Sequence, residues 1–276
     1  MSKAATPTLE DCGFSPEDAA PLHHDQAARL AACIDADRDF VSSGELPALW
    51  HWACFVPDAP TAELGEDGHP RRRPEMAEFP RRMWVGGRIE VAKPLVVDEV
   101  AHRSSRVASA TLKDTASGRY WLATVEHTIS QCGAVSVEEE QDLVFREASE
   151  LPAPGPDRDD APAAEWVEEI RPDPVLLFRF SAVTNNAHRI HYDQPYSIGV
   201  EGYPDVVVQA PLTAVLLAEM ARRRTGAPVR TISFRARAPL YANTPMWLTG
   251  NPADGGTAVM AAVRSDHVVA MMLEAC

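Results

Sequence analysis

Residues 211–228, PLTAVLLAEMARRRTGAP, narrow the choice of fold more than any other stretch. Pro211 suits the first position of a helix, where its missing N–H is no loss. Leu212, Val215, Leu216 and Met220 keep helical spacing, and Leu217 widens the apolar face. Arg222, Arg223 and Arg224 complement the negative end of the helix dipole, and Gly226 then Pro228 stop it. A helix this apolar must be wrapped on most sides. A strongly curved antiparallel sheet does that.

Strand-like runs occur on both sides of the chain. GRIEVAKPLVV (87–97), RVASATLKD (106–114), YWLATVEHTIS (120–130) and DLVFRE (142–147) are rich in β-branched and aromatic residues. VLLFRFSAVT (175–184), VRTISFRARAPL (229–240), PMWLTG (245–250), TAVMAAVRS (257–265) and HVVAMMLEA (267–275) repeat the pattern. Between the two sets lies ASELPAPGPDRDDAPAA (148–164), which has no aromatic or β-branched residue and favours extended, solvated backbone. We read 1–150 as an N-terminal domain, 151–164 as a Pro/Asp-rich linker, and 165–276 as a C-terminal domain. A long surface loop within one domain is the alternative. The N-terminal side has two candidates for its own central helix, residues 16–35 and the stretch around PRRMWVGG (80–87).

The formal charge of −14 disfavours contact with nucleic acid or an anionic membrane surface. No run approaches the roughly 20 apolar residues of a membrane span. Five scattered cysteines without a CxxC argue against a disulfide framework and a structural zinc site, and MSKAATPTLEDCGFS lacks the apolar core of a signal peptide. A reducing, cytoplasmic setting is expected.

The chemistry concentrates in NNAHRIHYDQPY (185–196). His188 and His191 could share a metal, but zinc needs three or four ligands and only Asp193 offers a third here. Ser181 and Thr184 lack the glycine-bounded turn of a nucleophile elbow, and no phosphate or dinucleotide loop exists. Acid–base chemistry remains, because histidine exchanges protons near neutral pH. A helix cap and a core contact beside Tyr192 would be the plain structural explanation. Asn186 with His191, and His188 with Asp193, are each five apart, so either pair could carry the chemistry.

FRFSAVTNNAHRIHYDQPYS followed by VEGYPDVVVQAPLTAVLL resembles the MaoC-like hydratases and dehydratases, in particular their two-domain hydroxyacyl-thioester dehydratase branch. LWHWACFVPDAP (49–60), LGEDGHPRRR (64–73) and FPRRMWVGGRIEVAKPL (79–95) resemble that branch's first domain. The resemblance implies an α+β double hot-dog fold, two tandem curved sheets each around a central helix, with no cofactor and no metal. It implies reversible hydration of a 2-enoyl-CoA, short-chain or of the dicarboxylic mesaconyl/itaconyl kind, while exposed sheet edges and apolar strands lead us to expect self-association into a homo-oligomer.

Laid on the family's motif, His191 becomes the catalytic histidine and Asn186 occupies the position of its Asp. His188 and Arg189 replace the motif's Asn and Pro. A neutral amide can orient water but cannot take its proton. The thioester oxygen is expected at the start of the 211–228 helix, where Ala210 offers a backbone donor and Gln209 an amide donor or a pocket wall. Arg71, Arg72, Arg73, Arg81, Arg82 and Arg189 are candidates for CoA phosphates, with Arg82 or Arg189 the first choices for an acyl carboxylate. His188, Arg189, Asp193 and Arg82 are thus the possible substrate-binding set. The N-terminal domain, lacking a comparable Asn/Asp-x4-His loop, is expected to shape the pocket without catalysing. The rivals are a non-catalytic acyl-CoA-binding module and a thioesterase using Asp193 or Glu201.

Overall fold

The computed structural model describes residues 5–38, 40–116, 118–148 and 162–276. Of the expected linker, residues 151–161 lie outside the described residues. The strands are β1 (Glu17–Pro21), β2 (Glu45–Leu46), β3 (Arg81–Val91), β4 (Leu95–Val96), β5 (Val100–Thr115), β6 (Gly118–Gln131), β7 (Ala134–Arg146), β8 (Trp166–Ile170), β9 (Thr231–Ala236), β10 (Met246–Pro252), β11 (Ala258–Arg264) and β12 (Val269–Ala275). The helices are α1 (His24–Cys33), α2 (Phe40–Ser43), α3 (Pro174–Val183), α4 (Gln194–Gly199) and α5 (Ala210–Thr225).

Ten of the strands form one antiparallel sheet in the order β1-β5-β6-β7-β3-β9-β12-β11-β10-β8, and β2 pairs with β4 apart from it. Strands from the N-terminal side fill one half and strands from the C-terminal side the other. Period-two burial shows which face is inside. On β6, Trp121, Ala123, Val125, His127, Ile129 and Gln131 are buried while their neighbours are not. On β7, Val137, Glu139, Gln141, Leu143 and Phe145 continue the same face.

Helix α5 is the expected buried helix. Every residue from Leu212 to Ala221 is buried, and the helix packs across β9, β10, β11 and β12. Gly226 ends it in the left-handed region at φ +67, its N–H donating to Arg222 O. The arginines do more than complement the dipole. Arg222 pairs with Glu219, and Arg223 and Arg224 both reach Glu168 on β8.

One expectation is corrected, and one open pair of candidates is narrowed. VLLFRFSAVT is helix α3, not a strand. Asp173 accepts the Leu176 N–H at 2.8 Å and Pro174 opens the first turn, so a capped start overrides the β-propensity of the run. Leu177, Phe180 and Ser181 then bury one helical face. On the N-terminal side, segment 16–35 contains β1 and the helix α1, whereas the stretch around 80–87 lies in β3. Extended backbone there serves the pairing of the two halves.

That pairing joins β3 to β9, with Gly87 opposite Phe234 and Ile89 opposite Ile232. A Cβ on Gly87 would lie 2.6 Å from Phe234 Cζ and 2.7 Å from the Glu140 carbonyl oxygen. Glycine here lets the Phe234 ring lie across the seam, 4.6 Å from the Trp84 ring. One hydrophobic core accordingly runs through both halves, from Leu30, Trp50 and Ile89 to Leu177, Leu212 and Phe234. A smaller cluster of Cys12, Met76, Phe79, Trp121 and Phe145 closes the outer end of the N-terminal half.

Gly87→Ala should therefore destabilise the protein by about 1–3 kcal/mol, the usual penalty for overpacking. Urea unfolding reads this as a lower midpoint. An unchanged midpoint would mean that the seam has room to spare.

Candidate active site

After α3 the chain reverses at Asn185, whose φ of +47 an Asn tolerates and whose Nδ2 donates to Pro57 O at 2.5 Å. Asn186 Oδ1 accepts the His188 N–H at 3.1 Å, closing a side-chain turn. That oxygen is thereby engaged, and the Nδ2 side of the amide is left for other partners. Residues Arg189–His191 make a single tight turn, and Asp193 caps α4 by accepting the Tyr196 N–H at 3.2 Å.

His191 is buried and held at one nitrogen. Its Nδ1 lies 2.7 Å from Val207 O, and because a carbonyl only accepts, Nδ1 carries the proton. Nε2 is then left with a lone pair. Burial pushes the pKa down to about 4, so the ring is neutral at ordinary pH. The Ile190 carbonyl accepts from Val207 N at 2.8 Å, which ties the loop to the strand-like segment just before α5.

Part of the expected set is engaged elsewhere. Arg189 binds Asp193 Oδ2 through Nε at 2.9 Å and Nη2 at 2.7 Å, donates to Glu66 O, and lies over the Tyr196 ring. Arg189 and Asp193 thus hold the loop's shape. The alternative His188–Asp193 dyad does not form, because both Asp193 oxygens serve Arg189 and the α4 cap. Glu201 pairs with Arg81 at 3.4 Å, so neither carboxylate of the thioesterase reading is unpaired.

Gln209 is fully buried, and its amide nitrogen donates to Leu177 O at 3.0 Å and Ser181 Oγ at 2.9 Å. Both N–H groups are engaged, so the expected amide donor is instead a strut between α3 and the start of α5. Ala210, the first residue of α5, has no positive φ, which meets the condition on a backbone donor there. Its N–H has no acceptor among the described residues.

Sequence reasoning missed a contribution from the N-terminal half. In the loop 64–70, Gly68 has φ +88 and lies so close to the 185–196 loop that a Cβ would sit 1.9 Å from Ala187 O. The Asp67 carbonyl accepts the Arg189 N–H at 2.9 Å. This contact places the His69 ring 4.1 Å from that of His188, which is in turn 5.3 Å from that of His191. His69 Nδ1 lies 3.2 Å from Asp67 Oδ2, and Arg72 Nη2 is 3.3 Å from the same oxygen. Burial, then Arg82 and Arg72, hold the His69 pKa well down; burial, then the neighbouring histidines, do so for His188. The available signal was the Asp-Gly-His triplet at 67–69, a turn that carries two ionisable side chains.

Asp67, His69 and His188 bring potential metal-ligand atoms within 4.8 Å of one another. Arg72 on Asp67, and Arg82 nearby, oppose a divalent cation there electrostatically. Of the arginines considered for phosphates, Arg72 also binds Phe79 O and Pro80 O, Arg73 binds Asp11, and Arg81 binds Glu201. Among the described residues, Arg71 makes one bond, to Leu64 O, and Arg82 one, to Cys12 O.

An antiparallel sheet packed on α5, with the rings of His69, His188 and His191 gathered near that helix's start, has the architecture of a hot-dog protein. The comparisons agree. The profile of the hydroxyacyl-thioester dehydratase type 2 family matches residues 49–242. The chain is 43% identical to the mesaconyl-C(4)-CoA hydratase of Chloroflexus aurantiacus, over 86% of this chain and 90% of that protein. Among solved structures it resembles HtdX of Mycobacterium tuberculosis, with TM-score 0.68 and 16% identity over 94% of this chain and 98% of that one. It also resembles a double-hotdog protein of M. tuberculosis, with TM-score 0.54 and 13% identity over 98% of both chains. The chain belongs to the hydroxyacyl-thioester dehydratase type 2 family, and its fold is the double hot dog. No helix among the described residues is long and apolar enough to cross a membrane.

Three buried histidines, His127, His188 and His191, and the half-buried His69 have pKa values depressed below the ordinary value of about 6.5. Below that pH the unfolded chain takes up protons that the native state refuses. Stability should be full above about pH 6.5 and fall toward pH 4, by up to about 1.4 kcal/mol per unit for each histidine. Urea midpoints at pH 7.5 and 5.5 measure it, and equal midpoints would contradict neutral burial.

Proposed function

We propose that the protein is a hydro-lyase that reversibly adds water across the double bond of a 2-enoyl-CoA, giving a 3-hydroxyacyl-CoA. The observation that carries this is His191, a buried neutral imidazole whose Nδ1–H is fixed by Val207 and whose Nε2 is free to take a proton. Family membership and the mesaconyl-C(4)-CoA hydratase relative support the same chemistry.

In this reading His191 Nε2 takes a proton from water as the oxygen attacks C3. Charge builds on the thioester oxygen, where the Ala210 N–H and the positive end of α5 meet it. The imidazolium returns a proton to C2, and the same steps in reverse expel water. Asn186 acts as a donor through Nδ2, aligning water or thioester, because its oxygen is engaged by His188. His69, with Nδ1 directed at Asp67, lines the water site with His188. The N-terminal half then supplies polar groups to the reaction as well as shape.

The relative's name points to an acyl group with a second carboxylate. The described cysteines are unpaired, which supports a cytoplasmic setting. Exposed Val175, Phe178 and Val200 support self-association into a homo-oligomer.

The test is the absorbance of the conjugated enoyl thioester on mixing with crotonyl-CoA and mesaconyl-C(4)-CoA. The wild type should consume at least one of them, and His191→Ala should be slower by about 10³-fold, within the range for losing a general base. With His191 at about 4, kcat/KM should stay level from about pH 6 to 8. Free CoA released without hydration would replace this reading with thioester cleavage. Full activity in His191→Ala would remove His191 from the reaction.

A further inference from the structure

The Asp67–His69 turn of the N-terminal half is held under more constraint than a pocket wall needs. Gly65 donates to His69 O at 2.7 Å and Gly68 donates to Gly65 O at 3.1 Å, which closes the turn on itself. Three contacts then bolt it to the 185–196 loop. The Gly68 backbone lies against Ala187 O, Asp67 O accepts the Arg189 N–H, and Glu66 O accepts from Arg189 Nη1.

Within the turn, Asp67 sets the His69 tautomer. Its Oδ1 accepts the His69 backbone N–H at 3.0 Å, and its Oδ2 lies 3.2 Å from His69 Nδ1. An ionised carboxylate only accepts, so Nδ1 carries the proton and Nε2 presents a lone pair. Arg72 takes the same Oδ2, which leaves the carboxylate committed to holding the ring. His69 Nε2 has no hydrogen-bond partner among the described residues, and neither has either ring nitrogen of His188. His188 is buried, with the His69 ring 4.1 Å away and the His191 ring 5.3 Å away. A nitrogen of His188 comes within 4.8 Å of one on His69. One water bridges such a pair, because two hydrogen bonds of about 2.8 Å meeting near the tetrahedral angle span about 4.6 Å.

We infer that His69 is a catalytic residue supplied by the N-terminal half, accepting a hydrogen bond from the water that His191 deprotonates. This rests on the hydration reading and gives its nucleophile a second protein contact. Water attacks C3 through an oxygen lone pair, so both of its O–H bonds must point elsewhere. One points to His191 Nε2, which takes that proton. The other points to His69 Nε2 and stays on the oxygen that becomes the product hydroxyl, so His69 is neutral before and after. A water held at both hydrogens has lost its rotational freedom ahead of the barrier. The tautomer decides the effect. A proton on His69 Nε2 would be donated toward the water oxygen and would occupy the electrons that the attack needs.

Asp67→Asn tests the tautomer at nearly constant shape, because its amide can donate to Nδ1 and so move the ring proton to Nε2. On the enoyl thioester that the wild type consumes, kcat should fall about 10²-fold while KM changes less than about threefold. His69→Ala should lose as much, and His69→Gln, whose amide oxygen accepts from water, should recover part. A lower urea midpoint with kcat unchanged would make the turn structural and overturn the inference. Binding in the slowed His191→Ala background gives a readout apart from turnover. 3-Hydroxybutyryl-CoA carries at C3 the oxygen that butyryl-CoA lacks, and the hydroxyl should tighten binding of one enantiomer about three- to tenfold. Adding His69→Ala should bring that ratio to about one. Equal affinities with His69 present, or a ratio retained without it, would overturn the inference. If the wild type hydrates no enoyl thioester while the ratio still depends on His69, the hydration reading fails and the His69 contact stands.

Discussion

Hydrogen bonding between β3 and β9 is the contact on which the rest of the molecule depends. It makes one ten-stranded sheet of two five-stranded halves, and it requires a strand without side chains at Gly86 and Gly87. A Cβ at Gly86 would lie 2.9 Å from Phe234 O, and one at Gly87 would overlap the Phe234 ring. With the halves fixed edge to edge, the loop before β3 reaches the loop after α3. Gly68 then allows backbone to meet backbone at Ala187. The histidine line therefore follows from three glycines, each placed where a side chain would push the halves apart.

The same packing sets the electrostatics. Enclosing imidazoles in a shared core removes the water that would stabilise their protonated forms, and Arg72 and Arg82 add repulsion at His69. A histidine kept neutral loses driving force as a base but is always in the form that accepts a proton. The Val207 carbonyl offsets part of that loss at His191 by holding Nδ1–H, which favours the charged form. Strong depression by burial and partial recovery from one backbone acceptor suit a base that works through a short-lived imidazolium.

Some of this was legible in the chain. The α5 helix announced itself by Pro211, its apolar spacing and Gly226, because those signals are local. His191 and Asn186 stood out because they sit five apart in a resemblance that spans most of the chain. Helix α3 was misread because VLLFRF has the composition of a strand, and the deciding feature was the Asp173–Pro174 start just outside the run. Asp67 and His69 were invisible as site residues because their partner His188 lies more than a hundred positions away, and only the seam brings them together. Arg189 and Asp193 looked like ligand contacts, yet at i and i+4 they satisfy each other. Local capping decided α3, a local ion pair decided Arg189 and Asp193, and tertiary pairing decided Asp67 and His69.

Buried histidines elsewhere in the sheet show why burial alone does not make a site. His51 meets Glu139 at 2.8 Å, and the other carboxylate oxygen takes Trp52 Nε1 at 2.8 Å and Gln141 Nε2 at 2.7 Å. That network is closed, and it holds Glu139 down at about 2 despite complete burial. His127 is bonded at Nδ1 to Ser105, and its Nε2 is unpaired but sealed from solvent. His191 differs from both. One nitrogen is fixed by backbone, the other has no partner among the described residues, and the residue keeps 8% of its surface exposed. A lone pair that is oriented, unengaged and reachable is what a base taking a proton from water requires. Of the three rings, His191 alone combines those properties.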